Sequence, residues 1–584
     1  MRIVVREEIS EDPELRRVWN GLALRMDRPQ VFYTYEWAIA VQRAYAASLT
    51  PLIFLAYEGE SVVGVAALAR KSSGQVVFLT ADTGDYCEFL SDEGIRQEFV
   101  DAVFAALRDS NIEKIVLTNL PADSATTSAI SRAAPKARYH MHFRSAYACA
   151  QVVMASAEER TLLKQSLLAK KRLRRNIREL NKRGPVTVQH DSNWNQIESL
   201  LPPFSRAHVA RFLETGKISS LIREERRVFL AELARELSRF GWVALSRLLV
   251  GEVPAAWNYG FRFASSWFWY QPTVNSLYWD FSPGYCLLAK IVELACDSPE
   301  LNLVDLGLGA EGYKERFATA TRQTVYCELN RSILSHLHSV MRYRAASLAT
   351  ASPRVEKWIR STISRAAELR TCLHEEGWGG LLTRLLRRVR QSVFFLETVL
   401  FFEWAAGENG HAELGTRLCP LNSEILGSAA IQYGDDPSAL RFLMRSAQRL
   451  LSGQGMGFVL FTGEGIPVHF CWTKNFEGFQ MAELDRDLHA SCKDAVMIFD
   501  CFTPCAARGH GFFSDAITML ADQLRSQGKV PWTFGAAANQ ASVRGIQKTS
   551  FAYRFSLGRK RILFFSRTQD SAPAASAMEP ASAA

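Results

Sequence analysis

The feature that most constrains the fold is one order of predicted elements that recurs three times along the chain. Each copy reads helix, strand, tight turn, strand, further strand, helix and strand. The tight turns are Glu58-Gly59-Glu60, Gly251-Glu252 and Gly463-Glu464-Gly465. A glycine turn between two apolar runs is typical of a β-hairpin, so each copy is predicted to be an α/β unit around an antiparallel meander. With 584 residues the chain is too long for one core, and about three to four domains are expected.

Apolar periodicity and turn chemistry place the individual elements. The predicted strands are 51–57, 61–68, 76–80, 114–118, 243–249, 253–261, 266–271, 303–306, 457–461, 466–473, 495–502 and 532–535. The predicted helices are 96–110, 157–182, 225–239, 286–296 and 512–525.

A phosphate-binding turn is predicted between the strand 495–502 and the helix 512–525. The sequence there is Arg508-Gly509-His510-Gly511. Glycines tolerate positive φ and let the backbone approach phosphate oxygens, and a helix N-terminus offers unpaired N–H groups to an anion. An ordinary tight turn is the competing interpretation. His510 could be no more than a turn residue.

The segment from this turn onward resembles the GNAT acyltransferases, whose pattern is R/Q-x-x-G-x-G/A, then N-x-x-A/S, then K-x-G-F. Arg508, Gly511 and Asn539 match it. Phe513 stands where a small residue is expected, and Ile546 where the family usually has a Tyr that protonates the leaving thiolate. The resemblance implies that Arg508 to Gly511 and Asn539 contact acyl-coenzyme A. Asn539 could equally be a helix N-cap.

A second, more specific resemblance lies in the middle of the chain. The segments Ser282-Pro-Gly-Tyr-Cys-Leu-Leu288 and Asp305-Leu-Gly-Leu-Gly-Ala-Glu-Gly-Tyr-Lys-Glu-Arg-Phe317 resemble an acetyltransferase-like family found with bacterial cellulose and exopolysaccharide genes and related to the FemAB transferases. The pattern of that family is S-P-G-x-x-L-L, then D-x-G-x-G-x-E-x-Y-K-x-R-F. The resemblance covers about residues 10–335, including Gly84-Asp85-Tyr86. It implies two GNAT-like halves, of which the second binds the acyl donor.

The residues of these motifs receive candidate roles. Ser282, Gly284 and Tyr285 open a helix whose amides could hold a phosphate or pantetheine group; a plain N-cap is the alternative. Glu311 is the preferred general base, with an ion pair to Lys314 or Arg316 as the alternative. Asp305 could be a base, could orient the substrate or could be a satisfied structural carboxylate. Tyr270 flanks the presumed cleft. Lys314 and Arg316 could contact an anionic substrate, with surface charge as the alternative.

The expected fold class is α/β (α+β): tandem GNAT-like units, each a mixed, mostly antiparallel sheet flanked by helices. The expected segments are a first half (1–155), a second half with the donor site (156–335), a basic helical connector (336–390), a C-terminal GNAT-like domain (391–566) and a disordered tail (567–584). From Gln569 onward the chain is rich in Ala, Ser and Pro, which predicts disorder.

Charge and cysteine content limit the binding partners and the cellular compartment that are expected. The net charge of +9 is concentrated in two basic runs, 170–183 and 342–390. These runs could be solvated helix faces, or they could bind an anionic substrate, the inner membrane surface or a synthase partner. Sequence-specific nucleic-acid binding is poorly supported. Eleven scattered cysteines predict reduced thiols and no metal site. Without a signal peptide or a spanning apolar run, a cytoplasmic protein is expected, with the inner-membrane surface as an option.

The expected activity is acyl transfer from acetyl- or another acyl-coenzyme A to an amine or hydroxyl, with a carboxylate as base. The resemblance implies a sugar, a polysaccharide precursor or another cell-envelope metabolite as acceptor. One alternative is FemAB-like transfer from aminoacyl-tRNA. Another is a non-catalytic scaffold that senses acyl-coenzyme A.

Overall fold

The computed structural model describes residues 1–309, 312–350, 394–405, 415–481, 484, 486–490, 492–562 and 565–571. The chain divides into two compact units. The first consists of Met1–Arg211 and Ser219–Leu348, and the second of Phe212–Ile218 and Ala349–Ala584.

The elements of the first unit follow the predicted order of two α/β halves. Its helices are α1 (Pro13–Arg25), α2 (Tyr35–Ala44), α3 (Arg96–Asp109), α4 (Ala125–Lys136), α5 (Ala157–Ala169), α6 (Lys171–Asn181), α7 (Trp194–Glu214), α8 (Glu224–Ser238), α9 (Pro283–Asp297) and α10 (Ile333–Thr350). Its strands are β1 (Arg2–Arg6), β2 (Leu49–Glu58), β3 (Ser61–Lys71), β4 (Val76–Phe78), β5 (Leu90–Ser91), β6 (Lys114–Pro121), β7 (His140–Val153), β8 (Val186–Asp191), β9 (Val243–Val250), β10 (Val253–Phe263), β11 (Ser266–Val274), β12 (Leu303–Leu308) and β13 (Ala320–Asn330).

The two halves of the first unit share one continuous sheet. Its order is β1-β2-β3-β4-β6-β13-β7-β12-β11-β10-β9-β8, with β5 beside β3. The last strand of each half lies in the other half: β7 pairs with β12, where Gln151 is opposite Asp305, and β13 pairs with β6, where Cys327 is opposite Leu117. β7 and β13 also pair with each other over most of their length. Each half therefore completes the sheet of the other.

Each half has its own apolar core beneath this sheet. In the first half, α3 buries Phe99, Val103 and Phe104 against β2 and β3. In the second, α9 is buried along most of its length, so it packs on the sheet rather than facing solvent. Burial on this scale stabilises each large side chain by about 1.5–3 kcal/mol relative to exposure.

The predicted single helix 157–182 is wrong, because the chain breaks it into α5 and α6. Lys170 lies between them with extended backbone (ψ 108°). Its Nζ donates to the carbonyl of Arg316 at 2.8 Å and lies 4.9 Å from the ring centre of Phe317. Leu173 and Leu180 of α6 pack into the second core. These tertiary contacts interrupt a helix that local propensity alone would continue.

The second unit has a sheet of its own. Its strands are β14 (Phe394–Trp404), β15 (Arg417–Pro420), β16 (Met456–Phe461), β17 (Pro467–Asn475), β18 (Phe479–Met481), β19 (Arg486–Leu488), β20 (Ala495–Phe502), β21 (Val530–Ala536), β22 (Phe551–Ile562) and β23 (Phe565–Ser571). Its helices are α11 (Ser423–Gln432), α12 (Pro437–Leu451), α13 (Phe512–Ser526) and α14 (Gln540–Gln547). The sheet order is β15-β16-β17-β20-β21-β14-β22-β23, and β18 pairs with β19 separately.

The expected fold class is confirmed, since both sheets are mixed and mostly antiparallel. Each copy of the plan has one parallel strand pair, β4–β6, β11–β12 or β20–β21. The disorder predicted for the tail 567–584 is wrong for residues 567–571, because they lie in β23 and pair with β22. Of the predicted connector, residues up to Thr350 belong to α10, and the remainder lies outside the described residues.

Candidate active site

The candidate site lies where β11 and β12 stop pairing with each other. Their parallel register runs from Ser266–Leu303 to Phe268–Asp305, although both strands continue beyond it. Gly307 and Gly309 have φ of +71° and +94°, which L side chains rarely adopt. We call the space between 269–274 and 306–308 the β11–β12 opening.

Asp305 is buried at the base of this opening, with 1% exposure. Its Oδ2 accepts hydrogen bonds from Tyr86 Oη at 2.8 Å and Gln151 Nε2 at 2.7 Å, and its Oδ1 from the N–H of Gly307 at 2.8 Å. Burial raises the pKa of Asp305, and the hydrogen bonds from Gln151 and Gly307 partly offset this. Of the three roles predicted for Asp305, these contacts describe the satisfied structural carboxylate.

Asp85, on the loop between β4 and β5, lies against the same glycine turn. A Cβ built on Gly307 would be only 2.6 Å from Asp85 Oδ2, so the carboxylate occupies the space that a side chain would need. Burial of the carboxyl group raises the pKa of Asp85 to about 7. The charge of Asp305 adds to this, while Lys314, Arg226 and the N–H of Leu308 oppose it. The residue is still partly exposed.

Asp85 was not predicted as a site residue. The resemblance did include Gly84-Asp85-Tyr86, but nothing local shows that this loop meets β12 more than two hundred positions later. The signal that could have found Asp85 is an acidic residue within a segment that already matched the family.

Tyr270 lies on β11 within a polar cluster. Its hydroxyl donates to the carbonyl of Thr83 at 2.6 Å and accepts from Arg226 Nη2 at 2.8 Å. Burial raises the pKa of Tyr270 to about 12, so the phenol keeps its proton at neutral pH. Arg226 has 7% exposure and was also missed by sequence reasoning, because it lies on a helix without a recognisable motif.

The loop after β12 carries the other predicted residues. Lys314 is buried, and its Nζ donates to the carbonyl of Leu308 at 3.0 Å; it is therefore part of the site rather than a surface charge. Arg316 is exposed. Glu311, the predicted general base, lies outside the described residues.

The residues predicted to bind the acyl donor, Ser282, Gly284 and Tyr285, lie at the start of α9. Ser282 has left-handed backbone (φ 47°) and its side chain does not cap the helix, while Pro283 is the first helical residue. Arg172 Nη2 donates to Ser282 Oγ at 3.1 Å. Tyr285 is buried, with its ring centre 4.9 Å from that of Phe317. The first turn of α9 therefore joins backbone N–H groups to a nearby arginine, which suits an anion.

In the second unit, Gly509 and Gly511 have φ of +88° and +82°, and Gly511 is the N-cap of α13 without a side-chain cap. Arg508 Nε donates to the carbonyl of Thr503 at 3.2 Å, and His510 stacks on Phe512. β20 and β21 pair only from Ala495–Val530 to Ile498–Thr533 and continue beyond it, as at the β11–β12 opening.

Asn539 caps α14, because its side chain accepts from the N–H of Ser542 at 3.2 Å. His469 was missed. It is buried, its Nδ1 lies 2.8 Å from Thr503 Oγ1, and burial lowers its pKa to about 3, so the ring is neutral.

Neither a metal site nor a membrane span is found within the described residues. Among them, no three His, Cys, Asp or Glu side chains gather as a metal ion would need. In the same part of the chain, no helix combines the length and apolarity needed to cross a membrane.

Comparison with known families agrees with this geometry. Residues 169–315 match the family model described as "Acetyltransferase (GNAT) domain", which confirms the expected resemblance to the GNAT superfamily. The matched segment contains β8 to β12 and α9, and hence most of the β11–β12 opening. No curated protein matches the chain. Of the site residues, Tyr270, Ser282 and Asp305 lie within the matched segment, and Asp85 lies outside it.

Solved structures that this chain resembles include FemX, at 10% identity and a TM-score of 0.39, covering 58% of this chain and 99% of that one. A tandem GNAT protein from the clavulanic acid biosynthesis pathway has 12% identity and a TM-score of 0.34, covering 56% and 98%. L-PGS from Bacillus licheniformis has 10% identity and a TM-score of 0.36, covering 53% and 96%. These likenesses are distant, and no shared activity follows from them.

Proposed function

We propose that the first unit transfers an acyl group from acyl-coenzyme A to an amine or hydroxyl at the β11–β12 opening. The observation that carries this proposal is Asp85, a partly exposed carboxylate against Gly307 whose pKa is about 7. A general base works best when its pKa lies near the working pH. A carboxylate with an ordinary pKa would be a much weaker base.

In the proposed reaction Asp85 moves one proton. It takes the proton from the acceptor nucleophile, which forms a bond to the thioester carbonyl carbon. As the carbon–sulfur bond breaks, the proton passes from Asp85 to the departing thiolate. An ordinary thiol has a pKa of about 8.5, so this transfer is favourable. Tyr270, with a pKa of about 12, is a poorer acid for that step, and we assign it to positioning the Thr83–Asp85 loop.

The opening also suits the developing negative charge. Because the N–H groups of Gly307 and Leu308 on β12 already donate to Asp305 and Asp85, we assign the developing oxyanion to N–H groups of β11 beyond Phe268. Asp305 holds the base of the opening through Tyr86 and Gln151, and its own charge helps to keep the pKa of Asp85 high.

The donor's phosphates are assigned to the first turn of α9, at Ser282 and Gly284, beside Arg172. Tyr285, buried against Phe317, supports the wall of this turn. Arg316 is retained as the contact for an anionic acceptor. The Arg508–Gly511 turn, together with Asn539 at the start of α14, is a second candidate donor site in the second unit.

The acceptor is proposed to be a sugar, a polysaccharide precursor or another cell-envelope metabolite, on the resemblance alone. The test distinguishes this function from two others: transfer from aminoacyl-tRNA, and a non-catalytic scaffold that senses acyl-coenzyme A.

The test is release of free thiol from acetyl-coenzyme A with a panel of amino sugars, between about pH 5.5 and pH 9. We expect the rate to rise with an apparent pKa near 7 and Asp85→Asn to lower it by about 10²–10⁴-fold. Asp82→Asn, on the same loop, is the control for losing one negative charge. If Glu311→Gln abolishes turnover and Asp85→Asn does not, Asp85 is not the base. If only aminoacyl-tRNA is consumed, the proposed donor is wrong; if neither donor reacts, the scaffold interpretation replaces catalysis.

A further inference from the structure

Helix α6 has two faces of opposite character. Leu173, Asn176 and Leu180 are buried against the second core. Opposite them, at helical spacings of four, three and four, are the exposed residues Lys171, Arg175, Arg178 and Lys182. The one acidic residue of α6, Glu179, pairs with Lys182 at 2.8 Å. Most of this cationic stripe therefore meets solvent without a compensating carboxylate on its own helix.

Exposed apolar side chains lie on the turn at residues 276–281 that precedes α9. Leu277 is 74% exposed and Trp279 is 51% exposed. Such exposure is unusual for a large apolar pair, and it suggests an interaction surface.

Arginines hold this turn next to α6 and α7. The guanidinium of Arg183 lies 4.6 Å from the ring centre of Phe281, and that of Arg211 lies 3.8 Å from the ring centre of Trp279. The apolar pair therefore lies on a turn that packs against α6, the helix that carries the cationic stripe, and against α7. Asp280 is the exposed acidic residue of the turn. We call Lys171, Arg175, Arg178, Lys182, Leu277 and Trp279 the α6 surface.

We propose that the α6 surface binds an anionic lipid bilayer. Lysines and arginines are attracted to a negatively charged leaflet, and Leu and Trp gain free energy on entering the interfacial region. Nucleic acid would also attract the cations, but Leu277 offers it neither a hydrogen bond nor a stacking plane. One ring face of Trp279 is covered by Arg211. The combination therefore favours a lipid surface over an RNA.

The experiment measures co-sedimentation of the full chain with vesicles of phosphatidylcholine, with and without phosphatidylglycerol. One variant changes Lys171, Arg175, Arg178 and Lys182 to Gln, and a second carries Leu277→Ser with Trp279→Ser. The matched control removes four exposed cations elsewhere in the first unit by changing Arg25, Arg132, Lys136 and Arg138 to Gln. A tRNA gel shift is run on the same proteins.

The expected result is salt-sensitive binding to phosphatidylglycerol vesicles only. The cation variant should weaken it by up to about 1,000-fold, the Leu277/Trp279 variant should also weaken it, and the control should bind like the native chain. Three results would overturn the proposal: no vesicle binding by the native chain, equal loss in the control, or binding of tRNA through these cations without binding of vesicles. The membrane proposal does not depend on the proposed chemistry, because acetyl-coenzyme A binding and thiol release are measured without vesicles.

Discussion

Replacing Asp85 by Asn should stabilise the first unit at alkaline pH while removing its activity. The pKa of Asp85 is raised from its ordinary value of 3.8 to about 7. Between these values the native state holds a proton that the unfolded chain has lost, so stability falls as pH rises through this window. The penalty is fully present above about pH 7 and absent below the unfolded pKa.

The size of the effect follows from the shift. At 1.36 kcal/mol per pKa unit, the penalty has an upper bound of about 4 kcal/mol. Because Asp85 is partly exposed, solvent screening reduces this to about 1–2 kcal/mol. Asn is nearly isosteric and can still accept from the N–H of Leu308, so the substitution removes the charge and keeps the shape.

Hydrogen exchange of peptides from β7 and β13 reports the opening of the first unit by itself. At about pH 8, Asp85→Asn should raise the unfolding free energy by about 1–2 kcal/mol, and at about pH 3, below the unfolded pKa, the difference should vanish. Asp82→Asn is the charge control. An equal change at both pH values, or a loss of stability at both, would show that Asp85 is not a buried acid with a raised pKa.

Substitutions at Gly307, Glu328 and Asn539 test the geometry further. Gly307→Ala should cost about 2–4 kcal/mol of stability in urea unfolding, because the backbone has φ +71° and the new Cβ would lie 2.6 Å from Asp85 Oδ2. The control is Gly309→Ala, whose Cβ would have nothing within 4 Å, and it should cost about 1 kcal/mol. Burial alone would raise the pKa of Glu328, but a network of hydrogen bonds lowers it to about 2 from 4.5. The ionised Glu328 carboxylate therefore stabilises the first unit above about pH 4.5, and this stabilisation is lost as pH falls through about 2. Glu328→Gln should lower the unfolding free energy by about 2–3 kcal/mol at neutral pH and by less in acid unfolding near pH 3. Asn539→Ala should lower the thermal stability of the second unit by about 1 kcal/mol, whereas Asn539→Asp, which keeps the cap, should not.

Local features of the fold could be predicted from the sequence. The hairpins around Gly59, Gly251 and Gly465 follow from apolar alternation and from glycines that adopt positive φ at each turn. The strand–turn–helix order around Arg508 to Gly511 follows for the same reason. These features depend on residues a few positions apart, which is why periodicity and turn chemistry find them.

Contacts between distant segments could not be predicted in this way. The exchange of β7 and β13 between the halves depends on pairs such as Gln151–Asp305, which leave no periodic signal. The break at Lys170 depends on Arg316 and Phe317, so helix propensity alone misses it. The raised pKa of Asp85 depends on its position against Gly307 and on the charge of Asp305. The sequence of the loop around Asp85 does not show either neighbour.

The first unit is proposed to hold the acyl donor at the start of α9, and every step assigned to Asp85 depends on this placement. Isothermal titration of acetyl-coenzyme A into the native chain and into two matched charge reversals, Arg172→Glu and Arg508→Glu, tests it most directly. We predict one binding event that Arg172→Glu weakens by at least about tenfold, the effect expected of losing a charge-assisted contact, and that Arg508→Glu leaves unchanged. Binding lost only in Arg508→Glu, or no binding to the native chain, would contradict this placement.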